Sequence, residues 1–245
     1  MTLLDLIARV RQRLDDQGGD TGTAPATYTY YWEYDDAGTL WKNAELVAYA
    51  NAACMELAHR VPIRDSGDNE TTRIALRSGT ARYEIDPRIL EITRVVLAST
   101  ETPLIKIANA QERSQWNDPY AQTYADPSTV AQYTDDLDAL TLTVFATPTT
   151  SDTLWLAVKR LPLEPLTWSG RKSEEPEFAS HHQEALIEWV CSLALMKRDS
   201  DTQDKEAAGY HQGRFTDMVG PRVDFRQAKV LKDVAGVRLR TRAYY

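Results

Sequence analysis

The strongest constraint on this chain is a hydrophobic period that switches twice along its length. Leu3, Leu6, Ile7, Val10 and Leu14 recur at helical spacing, so residues 2–16 read as an amphipathic helix ending at Gly18-Gly19. A second helix is predicted over 41–60, with Leu46, Tyr49, Ala50, Ala53 and Leu57 on one face and Pro62 as its stop. From 71 to 162 the pattern alternates or runs β-branched: TRIAL, ARYEI, ITRVVLA, PLIKIA, LTLTVFA and TLWLAVKRL. Ser78-Gly79, Asp86-Pro87, Thr102-Pro103 and Thr147-Pro148 punctuate these runs as turns. Past Pro162 and Pro165 the helical period returns. Pro176-Glu177 opens a helix whose stripe holds Ala185, Leu186, Trp189, Val190, Leu193 and Met196, and a more polar helix follows over 202–219.

Helices at both ends must bury their stripes against one another, which makes the β segment an insertion. The predicted fold is α+β: a helical bundle from N- and C-terminal helices, an inserted antiparallel β-domain or small sandwich of about six strands, and an extended C-terminal arm. Its divisions fall at 1–70 (helices and an aromatic loop), 71–162 (β insertion), 163–220 (returning helices) and 221–245 (arm). Within the insertion, 109–117 reads as a short helix and 118–136 as a long polar excursion.

Charge is divided unevenly along the chain. The whole protein stands at −8. Residues 221–245 hold seven basic side chains (Arg222, Arg226, Lys229, Lys232, Arg238, Arg240, Arg242) against Asp224 and Asp233, so the arm is near +5 and the body near −13. Val223, Phe225, Val230, Leu231, Val234, Val237 and Leu239 interleave the arm's charges, and Tyr244-Tyr245 closes it. Charges alternating with apolar anchors describe an arm that orders as it docks, into a protein groove rather than onto nucleic acid, given a whole-chain pI of about 5.1. The longest apolar run, 185–196, is interrupted by Glu188 and falls short of the roughly 20 residues a bilayer requires. The N-terminal segment has an acid at position 5 and does not read as a signal peptide. Cys54 and Cys191 sit inside apolar helical patterns, as buried free thiols do.

Catalytic and metal motifs are weak throughout. His181 and His182 with Glu184 and Glu188 form the best metal candidate, yet H-E-x-x-H spacing is absent and a solvated first turn explains them as well. Ser169-Gly-Arg-Lys172 fits S-x-x-K without its companion motifs. The loop Asp65-Ser-Gly-Asp68-Asn69-Glu70 fails the EF-hand register. No cofactor motif is found, and the chain does not read as an enzyme. Tyr28, Tyr30, Tyr31, Trp32 and Tyr34 crowd into a polar segment, 20–38, read as a loop or irregular edge strand. Three readings stay open for them: packing within the chain, a subunit interface, or a small ligand such as a sugar.

The order of these parts resembles the head-to-tail adaptor (connector) proteins of tailed bacteriophages. The likeness lies in Trp41-Lys-Asn-Ala-Glu-Leu46-Val-Ala-Tyr-Ala-Asn51, in Gly79-Thr-Ala-Arg-Tyr83-Glu-Ile-Asp-Pro87, and in Val158-Lys-Arg-Leu-Pro162. The helix Pro176-Glu-Phe…His182-Gln-Glu-Ala-Leu186…Ala194-Leu-Met-Lys197 completes it. It covers roughly 40–218 and leaves the aromatic insert outside. The resemblance implies a structural protein of the virion neck, present in the host cytoplasm during assembly. It implies a ring of about twelve copies beneath the portal protein, with DNA passing through the lumen without sequence-specific binding and a tail or nozzle protein docked below. It implies no membrane partner, and arms that grip the portal by avidity. The runner-up reading is a carbohydrate-binding module of the virion surface, built on the β-domain and the aromatic cluster.

Overall fold

The computed structural model describes residues 1–18, 26–107, 130, 132–170, 174–198 and 203–222. It is a mixed α+β structure divided into two compact units. One is formed by Met1–Ile63 with Pro162–Arg222, the other lies within Arg64–Leu161.

In the first unit, α1 (Leu3–Arg13) begins at Thr2, whose Oγ1 accepts from the Asp5 N–H while the Asp5 carboxylate accepts from the Thr2 N–H. Leu3, Leu6, Ile7 and Val10 are fully buried. The helix stops before the glycines, because Asp15 turns into the left-handed region (φ 54°) and the Asp16 N–H caps Arg11 O at 2.9 Å. The described part of the 20–38 segment, 26–38, is loop interrupted by one helical turn, α2 (Tyr31–Tyr34), where a loop or irregular edge strand was expected. α3 (Asn43–Arg60) follows. Glu45 reaches back to the Lys42 N–H at 3.0 Å, and Asp36 accepts from the Asn43 N–H at 2.6 Å. α4 (Ser180–Leu195) starts later than Pro176 suggested, and α5 (Lys205–Val219) is capped by Asp204, which accepts from the N–H groups of Glu206 and Ala207.

α4 packs against α1, α3 and α5. Enclosure on several sides explains why its burial exceeds one stripe: Ile187, Glu188, Cys191 and Ala194 are fully buried, whereas Trp189 and Leu193 are half-buried and Met196 is exposed. Asn51 on α3 ties down the incoming chain, exchanging two hydrogen bonds with the backbone of Leu166 at 2.8 and 3.0 Å. Cys54 and Cys191 are buried and unpaired, and burial pushes both thiols up to about 12.

The second unit holds two sheets. One runs β1 (Ile63–Asp65), β9 (Asp152–Arg160), β4 (Ile89–Leu97), β5 (Thr102–Pro103), with β2 (Arg73–Leu76) also on β9. The other runs β3 (Arg82–Glu84), β8 (Thr141–Phe145), β7 (Gln132–Asp136), β6 (Ile105–Lys106). Inward residues of both, among them Val95, Leu142, Leu154 and Leu156, form one apolar cluster. The described residues hold nine strands where six runs were predicted; most are shorter than those runs, while β4 is longer than its run. Two irregularities in the β4–β9 ladder, at Ile89/Glu91 and Ile92/Arg94, break the strict alternation. One pair, β6–β7, is parallel; the long connection between these strands leaves room for the crossover that a tight hairpin forbids. The region read as helix 109–117 lies outside the described residues.

Asp65 shows why the acidic 65–70 loop is structural. Its carboxylate accepts from the Gly67 N–H (2.8 Å), Asn69 Nδ2 (2.9 Å) and Arg160 Nε (2.6 Å). Burial pushes its pKa up, but these donors outweigh it and hold Asp65 below the usual 3.8. A depressed folded pKa stabilises the protein above the unfolded value and is lost as pH falls through the folded one. Asp65→Asn is therefore expected to lower stability at neutral pH and to flatten the decline below pH 3.8, read by urea denaturation across the acid range.

Candidate functional site

The aromatic segment is built onto α1 through Arg11. This arginine falls four residues after Ile7, on the apolar face, and is completely buried. Its Nη1 donates to Asp16 Oδ2 at 2.5 Å, and its Nη2 to Trp41 O at 2.8 Å and Asn43 Oδ1 at 2.9 Å. The guanidinium carbon lies 4.9 Å from the centroid of the Trp32 ring. Burial pulls the Arg11 pKa down while Asp16 and Asp36 push it back up. Asn43 Nδ2 holds Trp32 O at 2.8 Å, and the buried Glu33 carboxylate accepts from the Thr29 N–H at 3.0 Å.

On that footing the rings arrange themselves. Tyr30 stacks on Trp32 (5.0 Å, 10°), and Trp168 approaches Trp32 from the short 3-10 turn Trp168–Gly170 (6.4 Å). Tyr34 meets Tyr28 (5.5 Å) and Tyr31 (6.4 Å) edge-on or tilted. Trp32 is 4% exposed, so its ring is used within the chain, while Tyr30 and Tyr34 are 40% and 58% exposed. Tyr28 and Tyr31 are half-buried. A cleft of about 340 Å³ opens beside Tyr30 and Trp32, lined by Asp5, Arg9 and Gln12 along α1 and by Gln17 beyond it.

The His/Glu set on α4 is arranged for ion pairing. Glu184 takes Arg9 (2.8 Å) and Arg13 (2.9 Å). Glu188 is fully buried and is held by Arg13, by His211 Nδ1 at 2.7 Å and by Arg214 at 3.3 Å. It does not sit in a solvated turn. His181 and His182 lie ring to ring, 4.0 Å apart, and burial followed by His181 lowers the His182 pKa. Among the described residues no three His, Cys, Asp or Glu side chains are grouped to hold a metal. Sequence reasoning missed the Arg13–Glu188–His211 set because its members lie far apart in the chain. Its one local signal was an acid inside the apolar run of α4. Ser169 belongs to the 3-10 turn, with its Oγ 3.1 Å from Thr167 Oγ1, and Lys172 lies outside the described residues.

Of the basic arm, only Pro221 and the first cation, Arg222, are described. Arg222 is exposed, and its Nη1 lies 3.7 Å from Glu56 Oε2 on α3. Phe225, Arg226, Lys229, Lys232, Arg238, Arg240, Arg242, Tyr244 and Tyr245 lie outside the described residues.

Comparison with known families identifies the chain by its sequence. The sequence model of the family described as SU10 adaptor protein matches residues 1–241. The chain belongs to the SU10 adaptor family. The match extends beyond the 40–218 stretch that carried the resemblance and takes in the aromatic segment and nearly all of the arm. A search of curated proteins found no match. Membership in the SU10 adaptor family carries a phage adaptor role, a structural one. It implies portal and tail components as partners and the virion neck as the location. No described helix is long and apolar enough to cross a membrane.

The two clusters separate support from surface. Trp32→Ala is expected to cost about 3–5 kcal/mol, as buried aromatic truncations do, while Tyr34→Ala stays within about 0.5 kcal/mol in urea denaturation. Glu188→Ala leaves His211 without its carboxylate and Arg13 with Glu184 alone and is expected to cost about 2–3 kcal/mol, against less than about 1 kcal/mol for the half-exposed Arg214→Ala. Equal losses for Glu188→Ala and Arg214→Ala in parallel melts would remove the buried carboxylate from its central place.

Proposed function

We propose that this adaptor forms a ring of about twelve copies under the portal, extends the DNA channel, and presents a platform for tail or nozzle proteins. The ring is assembled from helical bundles carrying β-domains, and the C-terminal arm of each copy grips the portal. The observation that carries this reading is the family match over residues 1–241. It is supported by the charge division: an arm near +5 on a body near −13 reaches an acidic groove while the body stays a poor ligand for nucleic acid. Many arms, each of modest affinity, act together once the ring closes on the portal. DNA slides through without specific contacts.

The exposed rings of the aromatic turn contribute a contact between neighbouring copies. Tyr30 and Tyr34 offer apolar area at little conformational cost, because Arg11, Asn43 and Glu33 already hold the turn in place. Trp32 supports this surface from beneath.

Native mass spectrometry of the chain mixed with the portal ring of its phage tests the proposal. The full chain is expected to saturate the portal, and a chain ending at residue 220 to remain folded by circular dichroism but leave the portal bare. Saturation by the shortened chain would transfer the grip from the arm to the body, and a full chain that ignores the portal would end the proposal.

A further inference from the structure

The arm leaves the helical unit beside the end of α3, and its exit is built rather than loose. Arg60, the last residue of α3, lies with its guanidinium carbon 4.6 Å from the Phe215 ring centroid and 5.6 Å from that of Trp189. Its Nη1 donates to Gly220 O at 2.7 Å and to Thr216 Oγ1 at 2.9 Å, and its Nε donates to Glu56 Oε1 at 3.0 Å. The Arg60 side chain is 9% exposed and that of Glu56 15%. The other Glu56 oxygen lies 3.7 Å from Nη1 of Arg222, the first cation of the arm.

Each part answers a local requirement. Gly220 adopts φ +82°, a conformation that disfavours any side chain, although nothing would crowd a Cβ there. The glycine is therefore required by the direction in which the backbone turns, and Arg60 binds the carbonyl of that turning residue. The carbonyls at the end of an exposed helix can be satisfied by water. Using a ring-flanked guanidinium from another helix instead removes freedom from the exit. Glu56 links the two elements, because one carboxylate serves both Arg60 and Arg222. Around it, His59 has its pKa lowered by burial first and then by Arg222, against Glu56.

We infer that Arg60 and Glu56 form a positioning latch that fixes the direction in which the arm departs while the chain is still free. A partner then meets a base already aimed, and less ordering entropy opposes docking. The structural claim concerns the free chain alone; its consequence for portal capture rests on the clamp reading above. Because Arg222 is 59% exposed, its share of the latch is weakened by salt.

The test uses the full chain with spin labels on cysteines placed at the exposed Ala48 of α3 and at Val223. The parent is expected to give a narrow distance distribution. Glu56→Gln, which keeps a neutral acceptor for Arg60 but loses the attraction for Arg222, is expected to broaden it while the chain stays folded by circular dichroism. Arg60→Lys, which keeps the charge but loses the fork, should broaden it further. About 1 M salt should move the parent toward Glu56→Gln. In portal titrations, Glu56→Gln should weaken capture by a single arm about threefold, in line with an exposed pair. Superimposable distributions for the parent and Glu56→Gln overturn the latch, and that variant alone decides if Arg60→Lys fails to fold. Should the chain ending at residue 220 still bind the portal, the clamp reading falls, while the label distributions still judge the latch.

Discussion

The helical unit depends on one buried cation. Arg11 sits where an apolar side chain would satisfy the helix pattern, and the ion pair with Asp16 at 2.5 Å makes its burial tolerable. A guanidinium out of water costs several kcal/mol, so the surrounding acceptors are required by the site rather than added to it. They come from three places at once: the turn after α1, the backbone of Trp41, and the first residue of α3. The same group carries the Trp32 ring. Removing it would therefore loosen the end of α1, the start of α3 and the aromatic turn together.

Arginines repeat this use elsewhere in the unit. Arg13 joins α1 to the buried Glu188 of α4, which also receives His211 and Arg214 from α5. Arg60 joins α3 to the end of α5. Arg11 and Arg60 take acceptors from more than one element, and Arg13 takes two carboxylates of α4, which suits a planar group with donors on several edges better than a lysine. In an acidic chain, carboxylates are abundant partners, and the cations become the scarce component that selects which helices meet.

How much of this was legible depends on the range of the interaction. The helical stripes of α1 and α3, the helical character of α4 and the mixed α+β class followed from local period, because burial of one face imprints itself every three to four residues. The helical turn at Tyr31–Tyr34 was not legible: four residues carry no period, and it is held by Arg11 and Asn43 from other elements. The two sheets were only partly legible, since bulges in β4 shift the alternation and the parallel β6–β7 pair depends on a long connection. For the site, Arg11 left one clue, a charge at an apolar position. Glu188 left another, read too readily as a solvated helix start. The pairing of Glu188 with His211 left none, because ion pairs across helices have no spacing rule.

The arrangement of charge has a further physical consequence. Fixed arginines inside the helical unit are already paired and contribute little to attraction at a distance. The arm's cations are concentrated in the last residues of the chain, following a glycine whose backbone conformation is set by Arg60. In the proposed portal clamp, attraction to an acidic groove would therefore act mainly on the arm and be steepest at low salt, where it raises the encounter rate more than the lifetime. In the proposed clamp, the apolar side chains interleaved with those charges would supply the lifetime, since apolar burial is not screened by salt. A clamp built this way finds its partner electrostatically and stays by apolar contact. Raising the salt should slow capture without releasing arms already seated.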